Sequence, residues 1–196
     1  MVDQTITETR KLSPERRARI VEAARFLILR NGLRATTMEA IAREAGIAKP
    51  TLYGYFPDKK AVFAAIIAEI GHEIRAAVDG ALGVEGDVAA RIAAALNGKY
   101  KVINRVLENS PHAGELYDEH GRDGGRAYAG LEGHVEDAIT GALSEAGVGR
   151  ARPLAQLILA GAFGVGRKAR HEAEVGPAIR LLVERLVRPE LEGSSE

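Results

Sequence analysis

Almost every long segment of this 196-residue chain repeats its apolar residues at helical spacing, and none alternates apolar and polar as a half-buried strand does. The longest stripe runs through Val62, Phe63, Ile66, Ile67, Ile70, Ile74, Val78 and Leu82. It describes one helix over 58–82, roughly 37 Å long at about 1.5 Å per residue, enough to bridge two domains. Further stripes follow at Val88, Ile92, Leu96, Ile103 and Leu107, and at Leu131, Val135, Ile139 and Leu143. The pattern predicts an all-α chain of about nine helices and no sheet.

The punctuation between stripes is that of short helices. Ser13-Pro14-Glu15 offers an N-cap hydroxyl, a proline at the first helical position and an acid in the first turn. Asn31-Gly32 ends that helix. Thr36-x-x-Glu39 fits a capping box for a second helix to about Ala45, closed by Gly46. A third spans about 48–56, with Pro50 tolerated in its first turn. Ser110-Pro111 predicts a short helix over 110–119. The last two are expected over about 151–171 and 177–187.

Composition narrows the function classes. Cysteine is absent, so disulfide frameworks, thiolate metal sites and cysteine nucleophiles are excluded together. No apolar run approaches the roughly 18 residues of a membrane span, and the start MVDQTITETRKL lacks the apolar core of a signal peptide. A cytoplasmic protein without membrane contact is expected. The chain holds 27 basic and 27 acidic residues, a zero net charge. That balance conceals a split: residues 1–60 carry 12 basic and 7 acidic side chains, or +5, and residues 61–196 carry 15 and 20, or −5. A basic end on an acidic body points to nucleic acid or a membrane surface.

Residues 33–63, LRATTMEAIAREAGIAKPTLYGYFPDKKAVF, carry the chemistry. Two short helices joined by a glycine turn, with basic residues on and after the second, form a helix-turn-helix pattern. Gly46 suits a turn that a β-carbon would penalise, Ala42 lets the helices cross closely, and Ala45 and Ile47 plug the turn. Leu52 and Phe56 read as inward-facing.

This run resembles the N-terminal domain of the tetracycline-repressor (TetR) family of transcriptional regulators. The matching residues are Ile20, Ala23-Ala24, Gly32, Thr36-Thr37-Met38, Ile41-Ala42 and Ala45-Gly46-Ile47, then Lys49-Pro50-Thr51-Leu52-Tyr53, Tyr55-Phe56, Asp58-Lys59 and Phe63. The resemblance covers about residues 14–63. It implies a helix-turn-helix DNA-binding domain over 13–60 and an effector-binding and dimerisation domain over 61–190. It also implies a homodimer on a palindromic double-stranded operator. Carried over by position, Thr37, Lys49, Thr51, Tyr53, Gly54, Tyr55 and Lys59 are the DNA-binding candidates, Lys59 as a phosphate contact. The chain departs from the family at Ala48, where a serine is common, and at Gly54, where larger side chains are common. Gly54 costs its helix about 1 kcal/mol relative to alanine: either the backbone comes close to DNA there, or the helix orders fully on binding.

The remainder of the chain is expected to hold a small-molecule effector. By position the lining candidates are Ile70, Ile74, Tyr100, Ile103, Leu107, Tyr117, Tyr128, His134 and Phe163. Gly161-x-x-Gly164-x-Gly166 lies in an apolar helix rather than after a strand, so a dinucleotide loop fails its context. Close helix packing explains it better. Leu157, Ile158, Gly161, Val165 and Ala169, with Ile179, Leu182 and Leu186, are the candidate dimer interface, a four-helix bundle.

No cofactor or metal site is expected: Glu115-x-x-Asp118-Glu119-His120 reads as a solvated face. With five serines, no G-x-S-x-G and no phosphate-binding glycine loop, nothing assembles an enzyme's nucleophile. The expected function is a ligand-responsive regulator that represses and is released by its effector. Two alternatives stay open, an activator of the same fold and a small-molecule binding protein whose DNA domain no longer works.

Overall fold

A computed structural model describes residues 13–107, 125–168 and 172–192. Among them the chain forms eight α-helices and no strand: α1 (Pro14–Asn31), α2 (Met38–Glu44), α3 (Lys49–Tyr55), α4 (Lys59–Leu82), α5 (Val88–Leu107), α6 (Gly125–Glu145), α7 (Ala151–Lys168) and α8 (Glu172–Glu192). The all-helical expectation holds. The helix expected over 110–119 lies outside the described residues.

The chain divides into two compact units, one taking in α1–α3 and α4 as far as Ile66, the other the described residues from Ile67 onward. In the first, α1 begins as its sequence dictates: the Ser13 side chain accepts from the Arg16 N–H, and Pro14 stands in the first turn. Its face of Ile20, Val21, Ala24 and Ile28 is buried, and Gly32 closes it at φ 84°. The start of α2 differs by one residue from the capping-box expectation. Thr37, not Thr36, is the N-cap, its hydroxyl accepting from Ala40 N–H at 3.1 Å. Thr36 is buried instead and donates to the Gly32 carbonyl at 2.8 Å. Burial sets this register, because Met38, Ile41 and Ala42 must all face inward.

In the second unit α5 packs on α8 and α6, and α7 packs on α6 and α8. Its core gathers Ile74 and Val78 from α4, Ile92 and Leu96 from α5, Val135 and Ile139 from α6, Ile158 from α7 and Ile179 and Val183 from α8. Asp58 and Asp87 restart the chain at α4 and α5, each carboxylate accepting from the N–H three residues on, at 2.8 and 2.9 Å. The Lys99 ammonium is buried but paired with Glu132 of α6 at 2.6 Å. α8 begins at Glu172, not at Pro177 as expected, and carries Pro177 and Pro189 inside it. Pro177 is its sixth residue, so it removes one helix hydrogen bond and leaves the Ala173 carbonyl without its usual donor.

Candidate nucleic-acid interface

The turn between α2 and α3 is fixed from three sides. Gly46 takes φ 63°, where a β-carbon is penalised, and Ile47 N–H donates back to the Ala42 carbonyl at 3.0 Å. From α1, the Arg19 guanidinium donates to the Ala45 carbonyl at 2.7 Å, satisfying the exposed end of α2. With that turn set, α3 presents one face inward and one outward. Leu52 is fully buried and Phe56 nearly so, with the Arg17 guanidinium 5.3 Å from the Phe56 ring centre. These are the two residues expected to face inward.

The outward face carries Lys49, Tyr53 and Gly54. Tyr53 is 44% exposed, a large share for an aromatic ring, and Lys49 Nζ stands 5.9 Å from its centre. Lys49 is also held by Glu39 of α2. Their hydrogen bond lowers the Glu39 carboxyl below its ordinary range and raises the Lys49 ammonium above its own. Around Gly54 nothing lies within 4 Å of where a β-carbon would stand, so the fold does not demand a glycine there. Thr51 is half-buried and Thr37 exposed at its cap position. Ala48 starts α3 with no side-chain cap.

Two of the expected DNA-binding residues are engaged inside the unit. Tyr55 is half-buried, and its hydroxyl accepts the Ser13 N–H at 2.9 Å, tying α3 to the start of α1. Lys59 Nζ donates to the carbonyls of Leu33, Arg34 and Thr36 at 2.6, 3.3 and 2.9 Å. An ammonium has three protons, and each here has a carbonyl in reach. Lys59 thus closes the α1–α2 loop, a role no spacing in the sequence announces.

The residues expected to line an effector site are scattered. Ile74 is in the core, and Ile70 and Ile103 pack against it. Tyr100 is buried against Gly166 of α7, where a β-carbon would overlap its ring. His134 is partly exposed, its Nε2 2.8 Å from Asp79 Oδ1. Phe163 is 46% exposed, with the Arg167 guanidinium 5.8 Å from its ring centre. Leu107 ends α5 and Tyr128 lies in α6, while Tyr117 falls outside the described residues.

The expected dimer residues also divide. Ile158 and Ile179 are wholly buried within the chain, so neither is available to a partner, because helical periodicity cannot tell a core face from an interface. Leu157 is exposed, while Gly161, Val165, Leu182 and Leu186 are half-buried. Gly161 lets α7 and α8 approach, since a β-carbon there would meet Leu182. Ala169 is outside the described residues. Leu181, not among the expected residues, is the most exposed large hydrophobic side chain of α8. Among the described residues no group of three or more potential metal ligands converges, and no helix is long and apolar enough to cross a membrane.

Residues 20–66 match the model of a family described as bacterial regulatory proteins, tetR family. The chain is 32% identical over 97 residues to the HTH-type transcriptional repressor KstR of Mycolicibacterium smegmatis, covering 50% of this chain and 46% of that one. It is 27% identical over 110 residues to the nucleoid occlusion factor SlmA of Actinobacillus pleuropneumoniae, covering 56% and 53%. The chain thus spans about half the length of these curated relatives. A crystal structure described as a TetR-family transcriptional regulator from Mesorhizobium loti superposes with a TM-score of 0.74 at 18% identity, over 89% of this chain and 96% of that one.

Proposed function

From the premise that this chain belongs, through its N-terminal domain, to the tetR family of bacterial regulatory proteins, we propose that it is a ligand-responsive transcriptional repressor. It binds a palindromic operator as a homodimer and is released by a small-molecule effector. The observation that carries this reading is the outward face of α3, with Lys49, Tyr53 and an unobstructed Gly54, on a turn held by Gly46 and Arg19. Side chains at groove depth read bases, while helix ends, hydroxyls and lysines bind phosphates and set register. Thr37 and Thr51 flank that face. Tyr55 and Lys59 act from behind it, holding α3 and the α1–α2 loop in place.

In this reading residues 13–60 are the DNA-binding domain, residues 61–190 bind effector and partner, and the protein works in the cytoplasm with no catalytic role. α4 runs unbroken from Lys59 to Leu82 and has residues in both units, which suits it to carry an effector's influence. Release then needs only that effector favour a state whose α3 helices no longer match half-sites about 34–36 Å apart, a coupling of about 1–3 kcal/mol.

The test is binding of the purified protein to DNA from its own promoter region at several salt concentrations. Affinity is expected to fall steeply with salt, as phosphate contacts require, and to be lost in the Lys49→Ala/Tyr53→Ala variant with the fold retained. Salt-independent binding, or none, overturns the reading.

A further inference from the structure

We propose that the cleft between α5 and the beginning of α8 binds a small organic acid that also carries a hydroxyl group. The cleft has a volume of about 440 Å³, within the range of small-molecule sites. α5 lines it with Asn97, Tyr100, Lys101 and Asn104, and α8 with Gly176 and Arg180 among others. The four α5 residues stand at i, i+3, i+4 and i+7, so they share one face of the helix. That polar strip runs beside the buried Ile92 and Leu96, and helical packing alone gives no reason for it.

Three features set the chemistry of the occupant. The charges lining the cleft are Lys101 and Arg180, with no carboxylate among the described lining residues. Neither cation has an ion-pair partner among the described residues. The second feature is Asn97 Oδ1, which has no solvent exposure and no hydrogen-bond partner. A buried acceptor without a donor is costly and rare, and it calls for a donor from elsewhere. Gly176 of α8 lies opposite, where a β-carbon would stand in ordinary contact with that oxygen at 3.8 Å. Ala173 also lines the cleft, and Pro177 removes the usual helix donor to its carbonyl. The third feature is an apolar wall from Val175 and the Tyr100 ring. A carboxylate for the two cations, a hydroxyl for the Asn97 acceptor and a small apolar body between them satisfy all three.

The proposal rests on reading the second unit as the effector-binding body. Its test uses free protein without DNA, so its failure is distinct from a failure of operator binding. Salicylate, 4-hydroxybenzoate and mandelate are titrated into the full chain by calorimetry, with benzoate and benzyl alcohol as partners lacking the hydroxyl or the charge. At least one hydroxy acid is expected to bind with a Kd of about 0.1 mM or tighter, at least about tenfold tighter than benzoate, with benzyl alcohol silent. Lys101→Met and Arg180→Met should each weaken binding about tenfold, with unchanged helicity because both side chains are exposed. Asn97→Leu should level the hydroxy acid and benzoate. If Asn97→Leu fails to fold, the two charge variants still decide. Binding of none of the three hydroxy acids, or equal binding by the Lys101→Met/Arg180→Met double variant, overturns the proposal.

Discussion

Gly54 and Lys59 both stand out in the sequence, and the structure changes what each of them means. Nothing in the fold occupies the space a side chain would take at Gly54, so the glycine is a cost to α3 without a structural return. Gly54→Ala is expected to stabilise the protein by about 0.5–1 kcal/mol in urea unfolding, yet to weaken operator binding if the backbone lies against DNA. A variant both more stable and tighter-binding would assign the glycine to ordering of α3 on binding instead. Lys59 is the converse case. Position within the family motif points it at a phosphate, while the structure spends its three protons on the carbonyls of Leu33, Arg34 and Thr36. Lys59→Met is therefore expected to destabilise the first unit by about 1–2 kcal/mol, measured by urea unfolding. A Lys59→Met variant as stable as the wild type but weak on DNA would restore the phosphate role.

Element by element, what the sequence makes legible is set by how local each determinant is. The Ser13-Pro14 start of α1, the Gly46 turn and the inward pair Leu52 and Phe56 depend on neighbours a few residues away, and all stand where their spacing puts them. Thr36 and Thr37 are chemically equivalent caps, and only the burial of Met38 and Ile41 chooses between them. α8 passes through Pro177 because packing against α5 and α7 outweighs one missing hydrogen bond, which no local rule reports. The Glu39–Lys49 pair is another non-local product, joining α2 to α3. Glu39 titrates below its ordinary 4.5, so its contribution is present above that pH and is lost as pH falls through the lowered value. Lys49 titrates above its ordinary 10.5, so its share is present below that pH and is lost as pH rises past the raised value. The pair therefore persists across the neutral range, where it neutralises a lysine of the proposed DNA-facing surface. Glu39→Gln is expected to leave stability at pH 7 nearly unchanged, since exposed pairs contribute little. It should tighten operator binding about threefold at low salt and less at high salt, read by fluorescence anisotropy. Weakened binding would mean that Glu39 orients Lys49 rather than restrains it.

At the scale of the whole molecule the zero net charge is a cancellation between a basic beginning and an acidic remainder, and dimerisation would double both. The surface that could make the dimer is where the sequence was least legible, because an interface and a core obey the same helical period. Exposure separates them: Ile158 and Ile179 are enclosed, whereas Leu157 on α7 and Leu181 on α8 are 54% and 57% exposed. Large apolar side chains in that state on two mutually packed helices mark a surface that gains by being covered. Replacing both, as Leu157→Glu/Leu181→Glu, places like charges on the two faces of any symmetric contact. The double variant is expected to sediment as a monomer at micromolar concentration with its helicity intact. Its operator affinity should fall about 100-fold, because each half-site is then engaged without the effective concentration a tethered partner supplies. Val84→Glu, equally exposed in the wild type but beyond the end of α4, should change neither property. A double variant that remains dimeric would move the interface away from α7 and α8, and a Val84→Glu monomer would place it at the α4–α5 connection.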